Sequence, residues 1–162
     1  MSLNNHQPHV LVLPEDEANR QLANEFKLNL DQSVHTRIHV DREAGGWIKA
    51  LDRFESEHVV RMHRYPNRFM VLVIDFDGSE RRRNDVTSRI PEELRDRVFV
   101  LGALREPEDL KPVLGSYERI GSALAKDCRE ETDTTWNHEL LRHNAGELAR
   151  LRRHVRPILF PL

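Results

Sequence analysis

The sequence predicts an α/β fold with three layers, in which helices cover both faces of a mostly parallel sheet of four or five strands. Short apolar runs occur at residues 9–13, 70–74 and 98–101, as expected of parallel strands buried on both faces. Segments with helical apolar spacing separate these runs, and connections of this length suit right-handed βαβ units. Together these two observations predict a Rossmann-like architecture.

Composition limits the classes of protein that the chain can represent. The 162 residues include 25 Lys and Arg and 27 Asp and Glu, so the net charge is −2, and a nucleic acid site would have to be local. Cys128 is the single cysteine, which excludes a disulfide framework. No apolar run approaches the roughly 20 residues of a membrane span. We therefore expect one cytoplasmic domain away from membranes, and the oligomeric state stays open.

The first half of the chain predicts three strands and two helices. Residues 1–8 are polar and predict a flexible leader, so the single domain spans 9–162. An acidic turn and helical spacing over 18–30 follow the first strand. Polar and apolar residues alternate over 34–40, which predicts an edge strand. A second helix begins after Gly46 and leads to the central strand at 70–74.

The second half predicts one more strand and three helical segments. Pro91 begins a short helical turn before the strand at 98–101, and Ser116 is placed to cap the next helix. The last helix is expected over about 136–155, because Pro157 follows it. Residues 158–160 are apolar and either add a short fifth strand or pack on the core.

Carboxylates follow two of the predicted buried strands. Asp75 and Asp77 come directly after residues 70–74, and Glu15 comes after the first strand. Ligands of open α/β sheets gather beyond the carboxyl ends of the strands. Alternation along an extended chain places Asp75 and Asp77 on one side, and Glu15 joins them if the first and third strands are neighbours. Such a cluster favours a cation that offsets the charge, with Mg²⁺ (or Mn²⁺) as the first choice.

The two motifs, Val12-Leu13-Pro14-Glu15 and Ile74-Asp75-Phe76-Asp77, resemble the signatures of the TOPRIM domain. This domain occurs in topoisomerases, primases and the OLD-type nucleases of phage defence, and the resemblance covers about residues 9–125. It implies that Glu15 serves in phosphodiester transfer as a general acid or base, or as a ligand, and that Asp75 and Asp77 hold Mg²⁺. Glu108 or Glu106 loosely matches a further metal-binding acid that OLD-type members carry after the fourth strand.

The resemblance therefore implies a small Mg²⁺-dependent enzyme that cleaves nucleic acid or transfers phosphoryl groups, with Glu15, Asp75 and Asp77 as its catalytic residues. Arg81, Arg82 and Arg83 are placed to grip the flanking phosphates. The simpler interpretation of these three arginines is an exposed helix.

Two alternatives remain open. The run from Asp75 to Ser79 is similar to the first motif of haloacid-dehalogenase-type phosphatases, although those enzymes carry it on their first strand. The chain is also compatible with a non-catalytic module that docks on a partner protein, such as an ATPase. The docking alternative is favoured by a departure from the TOPRIM pattern, in which Gly usually follows the Glu where this chain has Asp16.

Overall fold

The computed structural model describes residues 2–161, and it confirms the predicted three-layer α/β fold. Four parallel strands form one sheet in the order β2-β1-β3-β4. The strands are β1 (His9–Pro14), β2 (Ile38–Val40), β3 (Arg68–Val73) and β4 (Val98–Leu101). β1 and β3 pair directly, with Leu13 opposite Leu72 and Pro14 opposite Val73. The predicted adjacency of the first and third strands is therefore confirmed.

Seven α-helices within residues 2–161 surround the sheet. They are α1 (Glu17–Leu28), α2 (Trp47–Arg53), α3 (Val59–Arg64), α4 (Arg81–Ser88), α5 (Lys111–Leu114), α6 (Tyr117–Glu130) and α7 (Ala145–Leu159). A π-helical turn, Phe54–His58, joins α2 to α3. Side chains of α2, α3 and α4 pack on one face of the sheet. Side chains of α1 and α7 pack on the other face, which we call the α1 face, and α6 packs against α1. None of these helices is long and apolar enough to cross a membrane.

The C-terminal helix differs from its predicted bounds of 136–155. It begins at Ala145 and continues to Leu159, with Pro157 inside its last turns. Ile158 and Leu159 extend the apolar stripe of the helix and are buried on the α1 face. Burying two large side chains offsets the cost of about 3 kcal/mol that an internal proline brings. Residues 158–160 consequently form no fifth strand, and the sheet has four.

Two other segments also differ from expectation. The edge strand is confined to Ile38–Val40, because a 3₁₀ helix occupies Gln32–Arg37 and buries Val34. The segment 2–8, expected to be a flexible leader, contacts the domain. Leu3 packs against the core, and the backbone N–H of Asn4 donates to the carbonyl of Thr36 at 2.9 Å.

The backbone beyond β3 continues alongside the end of β4 before it turns. Ile74 N–H donates to the Leu101 carbonyl at 2.9 Å, and Phe76 N–H donates to the Ala103 carbonyl at 3.1 Å. Gly102 is required between them, because a Cβ at this position would lie 1.7 Å from the carbonyl oxygen of Ile74. This close pairing fixes the peptide segment that carries Asp75.

Candidate functional site: a carboxylate cleft at the ends of β1 and β3

The pairing of β1 with β3 brings Glu15 and Asp75 together. The Glu15 N–H donates to the Val73 carbonyl at 2.8 Å, which extends the ladder by one residue. The Glu15 carboxylate then turns across the end of β3, where Oε2 accepts the backbone N–H of Asp75 at 2.5 Å. Two acids 60 positions apart in sequence therefore share one hydrogen bond at the carboxyl edge of the sheet.

Asp75 is buried beneath the start of α1. Only 5% of the residue is exposed, and its Oδ1 accepts the side-chain amide of Asn19 at 3.0 Å. Asp16 caps α1 by accepting the Asn19 N–H at 2.9 Å. Burial, reinforced by the negative charges of Asp16 and Glu15, raises the pKa of Asp75 to about 8. At neutral pH the Asp75 carboxyl group therefore carries a proton.

Glu15 is the second perturbed acid of the cleft. Burial raises its pKa, and the charges of Asp16 and Asp77 act in the same direction. The hydrogen bond from Asp75 N–H and the charge of Arg82 partly oppose these effects. A carboxyl group with a raised pKa next to other acids is typical of sites that transfer protons or bind cations.

Asp77 lies at the open side of the cleft. The extended backbone ends before it, because Asp77 has a φ of 49° in the left-handed region, so strict alternation does not apply to its side chain. That side chain is 60% exposed and pairs with Arg82 at 2.7 Å. Arg82 also donates to the Asp75 carbonyl at 2.8 Å, and its guanidinium lies 4.4 Å from the ring centre of Trp47.

Tyr117 and Glu108 border the cleft on the α6 side. Burial, followed by the neighbouring Glu108 carboxylate and the charges of Asp16 and Asp75, raises the pKa of Tyr117 to about 12. Glu108, the acid that the sequence predicts after β4, therefore lies near the cleft, next to the Tyr117 phenol. Glu106 has a local role instead, because its backbone N–H donates to Asp109 Oδ2 at 3.3 Å in a capping box at the start of the 3₁₀ helix Pro107–Leu110.

The three consecutive arginines begin α4 but have different surroundings. Arg81 is exposed, whereas Arg82 is tied to the cleft. Arg83 turns inward, where it donates to Asn144 Oδ1 at 2.7 Å and stacks on Phe76. Arg83, one of the three side chains predicted to bind phosphates, therefore binds other residues of the protein instead. The exposed-helix interpretation describes Arg81 alone.

The predicted cation ligands do not form a complete coordination shell in this structure. Among residues 2–161, no group of three or more His, Cys, Asp and Glu side chains is placed to hold a metal ion. The chemistry of the cleft nevertheless suits Mg²⁺ or Mn²⁺, which prefer carboxylate oxygens. Burial and surplus negative charge raise the pKa values of Glu15 and Asp75. A divalent cation bound between the two carboxylates would lower both pKa values.

Sequence reasoning missed three residues of the cleft: Asp16, Asn19 and Tyr117. Asn19 follows Ala18 in the first turn of α1 and is fully buried. A polar amide at a buried helix position requires a partner, which is a signal that the sequence offers. Nothing local in the sequence identifies that partner as Asp75. Comparisons with protein-family models, with curated proteins and with solved structures found no match to this chain.

Proposed function

We propose that the carboxylate cleft binds Mg²⁺ or Mn²⁺ and that the protein cleaves phosphodiester bonds of nucleic acid or transfers phosphoryl groups. The observation that carries the proposal is the convergence of Glu15, Asp16 and Asp75 at the ends of β1 and β3, with raised pKa values for Glu15 and Asp75. Asp77 stands at the entrance of this cleft. The motif resemblance to TOPRIM domains points to Glu15, Asp75 and Asp77.

Each residue has a role that its surroundings suit. Asp75 and Asp77 are the proposed ligands, and Glu15 transfers a proton, since its raised pKa lies closer to neutral than that of an ordinary carboxyl group. The cation, when bound, neutralises charge at the scissile phosphate. Arg82 lies beside the entrance of the cleft. Once its ion pair with Asp77 breaks, Arg82 is placed to contact the phosphate next to the scissile one.

Cation binding is expected to depend on pH. Asp75 must lose its proton before it can act as a ligand, and its pKa is about 8. Metal affinity therefore rises with pH until the group is ionised. Asp77 must turn away from Arg82, and its exposed side chain is placed to do so. The best conditions for the proposed activity lie at about pH 8.5.

The decisive assay uses labelled single-stranded DNA, duplex DNA and RNA at that pH, with Mg²⁺ or Mn²⁺. Cleavage should require the cation and should fall at least about 100-fold in Glu15→Gln and Asp77→Asn, the size of effect expected for a group that acts in acid–base or metal catalysis. Asp85→Asn, an exposed acid on α4, is the matched control and should retain activity. If every substrate stays intact and calorimetry shows no saturable cation binding, the proposal is wrong.

The phosphatase alternative requires Asp75 to attack phosphorus as an ionised, accessible nucleophile. Its burial and its pKa of about 8 oppose that role. A chromogenic phosphate monoester with Mg²⁺ separates the two enzymes. Turnover of the monoester that Asp75→Asn abolishes would favour the phosphatase, whereas the absence of both turnover and saturable cation binding would favour a docking module.

A further inference from the structure

A cavity of about 120 Å³ lies between the sheet and the helices of the α1 face. It runs along β1 and β3, where Val12 and Val71 line it, and the opposite wall includes Ala23, Leu124 and Cys128. Almost all of its lining is apolar. Apolar cavities of comparable size in other proteins stay dry and accept molecules such as benzene or xenon.

Two buried polar atoms of residues that line the cavity, the acceptor Asn19 Oδ1 and the donor Trp136 Nε1, have no hydrogen-bond partner among residues 2–161. Asn19 lines the cavity and is 1% exposed. Its Nδ2 is committed to Asp75 at 3.0 Å, which leaves Oδ1 directed elsewhere. Within the described part of the chain, this oxygen accepts no hydrogen bond. Leaving a buried acceptor unsatisfied is costly, so a donor supplied by a ligand would be favourable here.

Cys128 contributes a neutral surface to the same cavity. Burial raises the pKa of its thiol, so the sulfur acts as a small apolar group. Among residues 2–161, no charged side chain lines the space. The cavity is therefore unsuited to phosphates, nucleotides or carboxylates, and its chemistry differs completely from that of the carboxylate cleft.

We propose that this cavity is a binding site for a small, neutral, largely apolar molecule, of the size of a single aromatic ring, with one hydroxyl or N–H donor that bonds to Asn19 Oδ1. The site is separate from the carboxylate cleft and does not depend on the function proposed for it. It shares only Asn19 with the cleft, through the opposite end of the amide group.

Phenol and benzene are suitable probes, because they differ by the one donor in question. Calorimetric titration of the full chain should show saturable binding of one molecule of phenol. Phenol should bind about fivefold more tightly than benzene, as expected for a single net hydrogen bond. In Asn19→Val, which lacks the acceptor, that preference should disappear.

Ala23→Leu fills the cavity and should abolish binding of both probes. Ala149→Leu adds the same side chain at an exposed position of α7 outside the cavity and should leave binding unchanged. Equal affinity of phenol for wild type and Ala23→Leu would overturn the proposal, as would the absence of saturable binding to the wild-type chain.

A measurement on the wild-type chain covers the case in which Ala23→Leu does not fold. On titration with phenol, the NMR methyl signals of Val71 and Leu124, which line the cavity, should shift. Those of Val86 and Ile90, buried on the opposite face of the sheet, should stay in place. Shifts at Val86 and Ile90 of the same size, or none anywhere, would show that the cavity binds no phenol.

Discussion

Replacing Asp75 with asparagine should make the protein more stable at neutral pH. The asparagine side chain mimics the protonated acid, because its Oδ1 still accepts the amide of Asn19 and its Nδ2 replaces the acidic proton. What the variant lacks is the ability to become a buried negative charge between Asp16 and Glu15. The size of the effect follows from the pKa of Asp75.

An unfolded aspartate ionises near pH 3.9, whereas Asp75 in the folded chain keeps its proton up to a pKa of about 8. Between these values the unfolded chain has released a proton that the folded chain still holds. The wild-type protein therefore loses stability as the pH rises, by about 1.4 kcal/mol for each pH unit. Above about pH 8 both states are ionised, and the loss no longer grows.

The free energy of unfolding of Asp75→Asn, relative to wild type, should accordingly increase by up to about 4 kcal/mol between pH 4 and pH 7. Urea denaturation at one-unit pH steps measures this difference. Asp85→Asn, at an exposed position, should follow the wild-type curve throughout. A difference between Asp75→Asn and wild type that stays constant from pH 4 to pH 8 would show that Asp75 is ionised in the folded protein and would refute the reasoning.

Three further predictions concern the scaffold around the cleft. Gly102→Ala should prevent cooperative folding, because the new Cβ collides with the backbone carbonyl of Ile74. Gly146→Ala is the control: the space around this glycine is open, so thermal denaturation should show a neutral or slightly stabilising effect. Asn144→Ala should cost about 3 kcal/mol in urea denaturation, since it leaves the buried N–H of Gly102 without its acceptor and removes an acceptor from Arg83; a loss below about 0.5 kcal/mol would contradict that assignment. Arg82→Ala should cost about 1–2 kcal/mol, mainly through the lost hydrogen bond to the Asp75 carbonyl and the lost contact with Trp47, because the pair with exposed Asp77 contributes little. The same variant should weaken single-stranded DNA binding in a filter assay; unchanged binding would remove Arg82 from the proposed phosphate site.

Much of the fold was predictable because the strands carry their signal locally. The apolar runs that form β1, β3 and β4 are buried on both faces, and their spacing implied parallel pairing. The start of α7 was not predictable in this way. Buried Asp127 holds the preceding link by accepting the N–H groups of Thr135 and Trp136 through one carboxylate oxygen. That arrangement depends on tertiary structure, which helical periodicity does not encode.

The cleft was predictable only as far as strand adjacency reaches. Placing Glu15 near Asp75 required one correct assumption about the sheet, and the structure has β1 beside β3. The contact between Asn19 and Asp75 joins residues 56 positions apart. Arg83 donates to Asn144, which lies 61 positions further along the chain. The run of three arginines suggests an exposed helix, yet the Arg83 guanidinium turns inward. Local sequence patterns do not record such distant partners.

The most direct test of the cation site is a titration of the ¹⁵N-labelled protein with Mn²⁺ at about pH 8.5, followed by NMR. Mn²⁺ broadens the signals of amides close to it. The proposal predicts that the amides of Glu15, Asp75 and Gly78 broaden first, and that Asp77→Asn weakens the effect. Broadening centred on another part of the chain, or spread evenly over its exposed acids, would contradict a cation site between β1 and β3.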